Sequence, residues 1–101
     1  NKPQLLITGN GDELIFDAVT GQKFYGDRTA IANAVGHVNS NVTWDNEVML
    51  NDFLYEIGED ECKLGYEFGF TTDQALDISY GSTLINGEPC IQLNYTVTRL
   101  S

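Results

Sequence analysis

The chain has 101 residues, 42% of them hydrophobic and 11% aromatic, and its 15 acidic and 5 basic side chains give a formal net charge of −10. This length predicts one domain, and the hydrophobic content argues against disorder despite the charge. The charge argues against direct binding of nucleic acid or of an anionic membrane surface, because both require basic groups. No apolar run approaches the roughly 20 residues that cross a bilayer.

The chain contains two cysteines, Cys62 and Cys90. Two cysteines are too few for a disulfide-rich secreted scaffold or for a four-ligand structural zinc site. A single disulfide is the alternative to two free thiols. We expect free thiols, at least one of them half-buried, and hence a reducing, cytoplasmic setting.

The dipeptide Asn10-Gly11 predicts an N-terminal hairpin. Asn-Gly suits the type I′ turn, which needs positive φ at both central residues. With this pair at the turn, Ile7 faces Leu14 and Leu5 faces Phe16, so the apolar partners share one face.

A second dipeptide, Asn86-Gly87, predicts a C-terminal hairpin over residues 75–85 and 88–99. In this register Tyr80 faces Leu93, and the pairs that follow sort the hairpin into one apolar and one polar face. A slip of one residue would mix apolar with polar side chains, so the pattern specifies the register.

The segment after the first hairpin predicts a short strand and a helix. A turn at Thr20-Gly21 precedes a strand over 23–25, and Asp27 is placed to cap the helix. Apolar residues then recur at helical spacing, at Ile31, Ala34, Val35 and Val38. We expect Gly36 to end or fray this helix and residues 37–41 to form a loop.

The next segment predicts an extended stretch and a second helix. Apolar residues alternate with polar ones at Val42, Trp44, Val48 and Leu50. A turn at Asp45-Asn46 would interrupt the stretch, Asn51 would cap a helix over 52–57, and Gly58 would end that helix. The alternative is a helix that begins at Asp45. Residues 59–70 form a turn-rich aromatic segment, and the sum is an α+β domain with a mostly antiparallel sheet and two short helices.

Residue patterns typical of catalysis are absent from the sequence. The chain has one histidine, His37, which we interpret as a surface or turn residue. There is no nucleotide-binding or metalloprotease motif, and the acidic residues do not follow the spacing of a calcium-binding loop. We therefore expect a protein without enzymatic activity, without a metal and without a cofactor.

The charge is concentrated between Asp45 and Asp77, where ten acids stand against one base, Lys63. One interpretation is a solvated face that keeps the protein soluble. The other is a surface for a basic protein partner, with carboxylates in the place of nucleic-acid phosphates and aromatic anchors among them. On the second interpretation the partner-binding residues are Asp45, Glu47, Asp52, Tyr55, Glu56, Glu59, Asp60, Glu61, Glu67 and Asp73.

Four segments in the second half carry a family resemblance. They read LNDFLYEIG over 50–58, LGYEFGF over 64–70, ALDISY over 75–80 and GEPCIQL over 87–93. In this order they resemble small uncharacterised proteins encoded by bacteriophages and integrated elements, mainly of Gram-positive bacteria. Those proteins share an "LNDFY-x-x-LG" helix, a "G-x-x-x-G-W" turn and a final hairpin with "G-x-P" at its start. Here Leu54 replaces the aromatic residue, Ile57 the leucine and Phe70 the tryptophan, and the resemblance covers residues 48–97 without supplying a catalytic residue.

The resemblance implies a phage gene acting in the cytoplasm of a bacterial host. Small acidic phage proteins often block host defence enzymes, including CRISPR nucleases and restriction systems. The expected function is therefore inhibition of a nucleic-acid-processing protein by nucleic-acid mimicry. An immunity protein against a cationic nuclease toxin and a virion or assembly component are the alternatives, and the sequence does not fix the oligomeric state.

Overall fold

The computed structural model describes residues 13–100. In chain order the elements are β1 (Glu13–Asp17), β2 (Lys23–Gly26), α1 (Arg28–Asp45), β3 (Glu47–Met49), α2 (Leu50–Ile57), α3 (Leu64–Glu67), β4 (Phe68–Thr71), β5 (Ser79–Ile85), β6 (Glu88–Asn94) and β7 (Thr98–Arg99). The strands form a four-stranded sheet of order β2-β1-β6-β5 and a three-stranded sheet of order β3-β4-β7. All neighbouring strands are antiparallel except β1 and β6. The α+β class with mostly antiparallel pairing is therefore confirmed.

Strand β1 has a neighbour on both sides. Ile15 lies opposite Phe24 of β2 and opposite Ile91 of the parallel strand β6. The predicted turn before β2 is confirmed, with Gly21 at φ 79°. The Asn10-Gly11 turn and the first strand of its predicted hairpin lie outside the described residues. Around Ile15, both edges of β1 are occupied by β2 and β6.

The C-terminal hairpin has the predicted register. Tyr80 lies opposite Leu93, and the turn residues Asn86 and Gly87 have φ values of 53° and 82°. Both values are positive, as a type I′ turn requires. The paired strands end at Ser79 and Asn94, so the ladder is shorter than predicted.

Helix α1 is longer than the sequence predicted. Asp27 caps it as expected, its side chain accepting a hydrogen bond from the backbone N–H of Thr29. The helix then continues past Gly36 to Asp45, so the predicted end at Gly36 and the predicted loop over 37–41 are wrong. The reason is that the buried stripe of Ile31, Ala34, Val38 and Val42 keeps its helical spacing, and burial of this stripe outweighs the low helix propensity of the glycine.

The region after α1 contains less extended chain than predicted. Val42 belongs to α1, only residues 47–49 form a strand, and the alternative helix from Asp45 is wrong. Helix α2 and its end at Gly58, with φ 97°, are confirmed. Its N-cap is Met49 rather than Asn51, because Asn51 is a buried helical residue with other hydrogen-bond partners.

One cluster of buried side chains unites both sheets with α1 and α2. Three rings lie within it, with centroids 5.4 Å apart for Phe53 and Tyr95, and 6.1 Å apart for Phe53 and Phe70. Both contacts are edge-to-face, the arrangement that aromatic quadrupoles favour. Both cysteines are free thiols, Cys62 half-buried and Cys90 buried, as predicted.

Three amide side chains fix the irregular segments between the elements. Each accepts a hydrogen bond from the backbone N–H of one distant residue and donates one to the C=O of the same residue. The pairs are Gln22 with Asp60, Asn39 with Leu76, and Asn51 with Cys62, at distances between 2.8 and 3.0 Å. We call these pairs amide brackets. A Cβ atom at Gly65 would overlap the Asn51 amide, so only glycine fits beside that bracket.

Candidate functional site

Nine of the ten predicted partner-binding residues reach the surface. Eight are exposed and Glu67 is half-buried, whereas Glu59 is buried. They come from the end of α1, strand β3, the outer side of α2, the loop after α2, the end of α3 and the loop after β4. The prediction that Glu59 contacts a partner from the surface is therefore wrong.

The end of α2 explains why Glu59 points inward. Gly58 adopts φ 97°, and the backbone N–H of Glu59 donates to the C=O of Leu54 at 2.9 Å. This hydrogen bond defines a Schellman motif, in which the residue after the glycine folds back against the helix. An apolar residue usually occupies that position, and here the motif buries a glutamate instead.

Helix α2 presents one polar and aromatic side to solvent. Asp52, Tyr55 and Glu56 lie at spacings of three and four residues, which places them on one face. The opposite face buries Phe53, Ile57 and their apolar neighbours. Tyr55 is 78% exposed, so its ring is available to a partner.

Helix α1 contributes an exposed tryptophan beside this face. Nδ1 of His37 lies 2.8 Å from Oε1 of Glu56, which joins the outer sides of α1 and α2. Trp44 follows His37 by two helical turns on the same side of α1 and is 81% exposed. His37 is therefore a surface residue, as predicted, but on a helix. We call the set of Trp44, Asp52, Tyr55 and Glu56 the aromatic–acidic face.

Sequence reasoning did not include Trp44 among the partner-binding residues. The alternation of Val42 and Trp44 predicts extended chain, in which both side chains would lie on one side. In a continuous helix the two side chains diverge, so Val42 is buried and Trp44 is exposed. The helical stripe, extended beyond Gly36, would have identified the tryptophan.

Most acids of the predicted surface have no cationic neighbour. Within residues 13–100, three bases pair with acids: Lys23 with Glu88, Arg28 with Glu13, and Arg99 with Glu67. Of these acids only Glu67 belongs to the predicted surface. In the described part of the chain, no ion pair involves Asp45, Glu47, Asp52, Asp60, Glu61 or Asp73. Their charge is available to a basic partner.

The loop after α2, residues 58–62, we call the acidic loop. It carries Asp60 and Glu61, both exposed. The hydroxyl of Tyr66 donates to Oε1 of Glu61 at 2.6 Å, and this hydrogen bond raises the pKa of Tyr66. The Gln22 and Asn51 brackets hold the backbone of the loop at Asp60 and Cys62.

Beneath the acidic loop lies a buried cluster of two carboxyl groups. Asp17 is fully buried at the end of β1, and Glu59 is 7% exposed. The hydroxyl of Tyr95 donates to Oδ2 of Asp17 at 2.7 Å, and the hydroxyl of Thr20 donates to Oε1 of Glu59 at 2.8 Å. Burial and the neighbouring Asp17 raise the pKa of Glu59 to about 10, and burial raises the pKa of Tyr95.

A separate apolar groove of about 590 Å³ crosses one end of the four-stranded sheet. Its walls include Leu14, Leu84 and Ile91. Among the described residues that line the groove, the one carboxylate is Glu13, which forms an ion pair with Arg28. The described part of the lining therefore offers mainly apolar contact.

Two features are absent from residues 13–100. These residues contain no group of three or more histidine, cysteine, aspartate or glutamate side chains arranged to hold a metal ion. None of their helices combines the length and the apolar character needed to cross a membrane.

Fold and surface together define a small acidic α+β domain with an exposed aromatic–acidic face. The chain belongs to a family of unknown function, DUF6353, whose model matches residues 1–101. No curated protein and no solved structure matches the chain.

Proposed function

We propose that this chain is a protein-binding module, not an enzyme, and that it binds a basic protein through the aromatic–acidic face. The observation that carries the proposal is the exposure of Trp44 and Tyr55, at 81% and 78%, among carboxylates on two adjoining helices. Tryptophan and tyrosine are enriched among the residues that dominate binding energy at protein interfaces. Rings left in water at such a position are anchors that a partner covers.

The surrounding charge determines what kind of partner fits. Asp52 and Glu56 lie on the same face of α2 as Tyr55, and the exposed acids Asp45 and Glu47 lie at the end of α1 and in β3. Arginine and lysine bind carboxylates through charge-assisted hydrogen bonds, and both also make cation–π contacts with aromatic faces. A partner surface rich in arginine and lysine satisfies both features at once.

Such surfaces are typical of proteins that bind nucleic acids. Carboxylates can occupy the positions of phosphates, and the exposed rings can occupy those of stacked bases. We therefore extend the proposal to nucleic-acid mimicry, with a nuclease or another nucleic-acid-binding protein as the target. The resemblance to phage proteins supports a host defence enzyme, met in the bacterial cytoplasm, as the specific target.

The test is affinity capture from bacterial lysate treated with nuclease, at low and at high salt, followed by competition with duplex DNA. We expect a basic nucleic-acid-binding protein that is retained at low salt, weakened at high salt and displaced by DNA. Retention that DNA does not affect would contradict mimicry. A cognate toxin as the captured protein would identify an immunity protein, and capture of further copies of the chain would indicate an assembly component.

Variants then locate the binding surface. Asp52→Lys combined with Glu56→Lys should abolish capture. The control, Asp77→Lys with Glu88→Lys, makes the same change of net charge at exposed positions outside the aromatic–acidic face, with loss of the Lys23–Glu88 ion pair at the surface. Equal losses in both variants would show that net charge alone drives binding. For the rings, Trp44→Ala should weaken capture at least tenfold, as loss of an interface anchor does, whereas Leu84→Ala on β5, also exposed, should not.

A further inference from the structure

We infer that Asp17 and Glu59 share one proton at neutral pH, held as a carboxylic acid on Glu59 that donates to the Asp17 carboxylate, and that this proton fixes the acidic loop to the β1–β2 turn. Proton binding at this site does not depend on the proposed partner. It follows from the burial and the hydrogen bonds of the two groups.

The contacts of Asp17 identify it as the ionised member. Its Oδ1 accepts from the backbone N–H groups of Val19 at 2.8 Å and Thr20 at 3.1 Å. Its Oδ2 accepts from the Tyr95 hydroxyl. Three donors thus converge on one carboxylate, which is the arrangement that stabilises the charged form.

The contacts of Glu59 identify it as the protonated member. Its Oε1 accepts from Thr20, whereas Oε2 is buried without a hydrogen-bond partner. A second carboxylate beside Asp17 would leave one oxygen unsatisfied and place two negative charges together in the interior. A proton on Oε2 removes the second charge and supplies a donor to the Asp17 carboxylate, which lies close by because Thr20 binds both groups, Asp17 through its backbone N–H and Glu59 through its hydroxyl.

Among the described residues, the other titratable groups around the pair do not supply a compensating charge. Tyr95 and Cys62 face the two carboxyl groups, and each would add negative charge if it ionised. Burial first, and then the neighbouring Asp17 carboxylate, raise the pKa of Glu59 to about 10 from its ordinary value of 4.5. When the chain folds at neutral pH, the Glu59 carboxylate takes one proton from solvent, so the folded protein carries one negative charge fewer than the unfolded chain.

The shared proton holds the acidic loop in place because of where Glu59 lies in the chain. The residue is part of the acidic loop, between its Schellman turn and the Asp60 and Cys62 brackets. Ionisation would favour withdrawal of the carboxylate towards water. The exposed acids Asp60 and Glu61 would then move with the loop.

Carbon-detected NMR on the intact chain tests the inference directly, because the carboxyl carbon shift of Glu59 reports its protonation. We expect Glu59 to remain protonated at neutral pH and to titrate several pH units above its ordinary value of 4.5. Titration of Glu59 close to that ordinary value would overturn the inference. This measurement needs no variant and no partner, so a failure to capture any basic protein would leave its result intact.

Two matched variants test the role of the proton. In Glu59→Gln the amide N–H₂ can donate to Asp17 while its oxygen accepts from Thr20, so the neutral pair is retained without a titratable proton. Folded Glu59 binds its proton more tightly than the unfolded chain does, so its stabilising effect is complete below about pH 4.5 and declines as the pH rises towards 10.

The equilibrium constant for folding of the native chain should therefore fall by up to tenfold per pH unit across this window, relative to that of Glu59→Gln. Glu61→Gln makes the same chemical change at an exposed site and should retain the native pH dependence. Identical pH profiles for the native chain and Glu59→Gln would refute the role of the proton, and an unfolded Glu59→Gln variant would contradict the neutral pairing of the native residue.

Discussion

Substitution of Asn51 by alanine should destabilise the domain strongly, although the residue is polar. Asn51 is 2% exposed, and both hydrogen bonds of its bracket to Cys62 measure 3.0 Å. Each bond contributes about 1 kcal/mol, and each backbone group left without a partner costs about a further 1–3 kcal/mol. Because Cys62 is only half-buried, water can partly replace the amide, and we expect a loss of about 3 kcal/mol.

That loss is a large share of the roughly 5–15 kcal/mol by which a domain of this size is stable. Thermal unfolding followed by circular dichroism should show a Tm lowered by roughly 15 °C. The control is Asn33→Ala, the same chemical change at an exposed position of α1, which should alter the free energy of unfolding by less than about 0.5 kcal/mol. If the two variants unfold at the same temperature, the Asn51 bracket contributes no net stability.

Three further outcomes follow from the packing. Gly36→Ala should stabilise the domain by about 0.5–1 kcal/mol in urea unfolding, because this mid-helix glycine has open space where a Cβ would lie; destabilisation would mean that α1 is interrupted there. Phe53→Ala should lower the free energy of unfolding by about 3–5 kcal/mol in the same assay, since the ring is fully buried against Phe70 and Tyr95. A loss below about 1 kcal/mol would contradict that packing. Trp44 is the single tryptophan, so its fluorescence in the free protein should be accessible to a soluble quencher, and protection from quenching without a partner would argue against its exposure.

The most accurate sequence predictions concern structure that short segments determine. Asn86-Gly87 specifies the turn, and the alternation on either side of it specifies which residues face each other. Gly58 similarly marks the end of α2. In each case the decisive residues lie within a few positions of one another, so local geometry is sufficient.

The prediction of α1 failed where local and global preferences conflict. Gly36 and the polar residues after it have low helix propensity, which favoured an early end. The apolar stripe continues through Val38 and Val42, and the Asn39 bracket to Leu76 holds the later turns in place. Nothing in the sequence near residue 39 reveals a partner 37 positions away.

The predicted acidic residues all reach the surface except Glu59, which is buried. A run of three acids after Gly58 is typical of a solvated loop, and two of the three, Asp60 and Glu61, are exposed. The buried member, Glu59, occupies the position that a Schellman motif turns inward. The predicted helix end at Gly58 therefore already distinguishes Glu59 from Asp60 and Glu61. The pairing of Glu59 with Asp17, far away in sequence, could not have been found in this way.

The parallel pairing of β1 with β6 has a consequence for how the chain folds. It joins Ile15 to Ile91, so the four-stranded sheet closes only when two distant parts of the chain meet. Contacts of such long sequence separation require loop-closure entropy to be lost early and slow the search for the native state. During synthesis the pairing of β1 with β6 must wait until residues 88–94 have left the ribosome. The C-terminal hairpin, whose contacts are local, can then form quickly and serve as the template on which the earlier strands assemble.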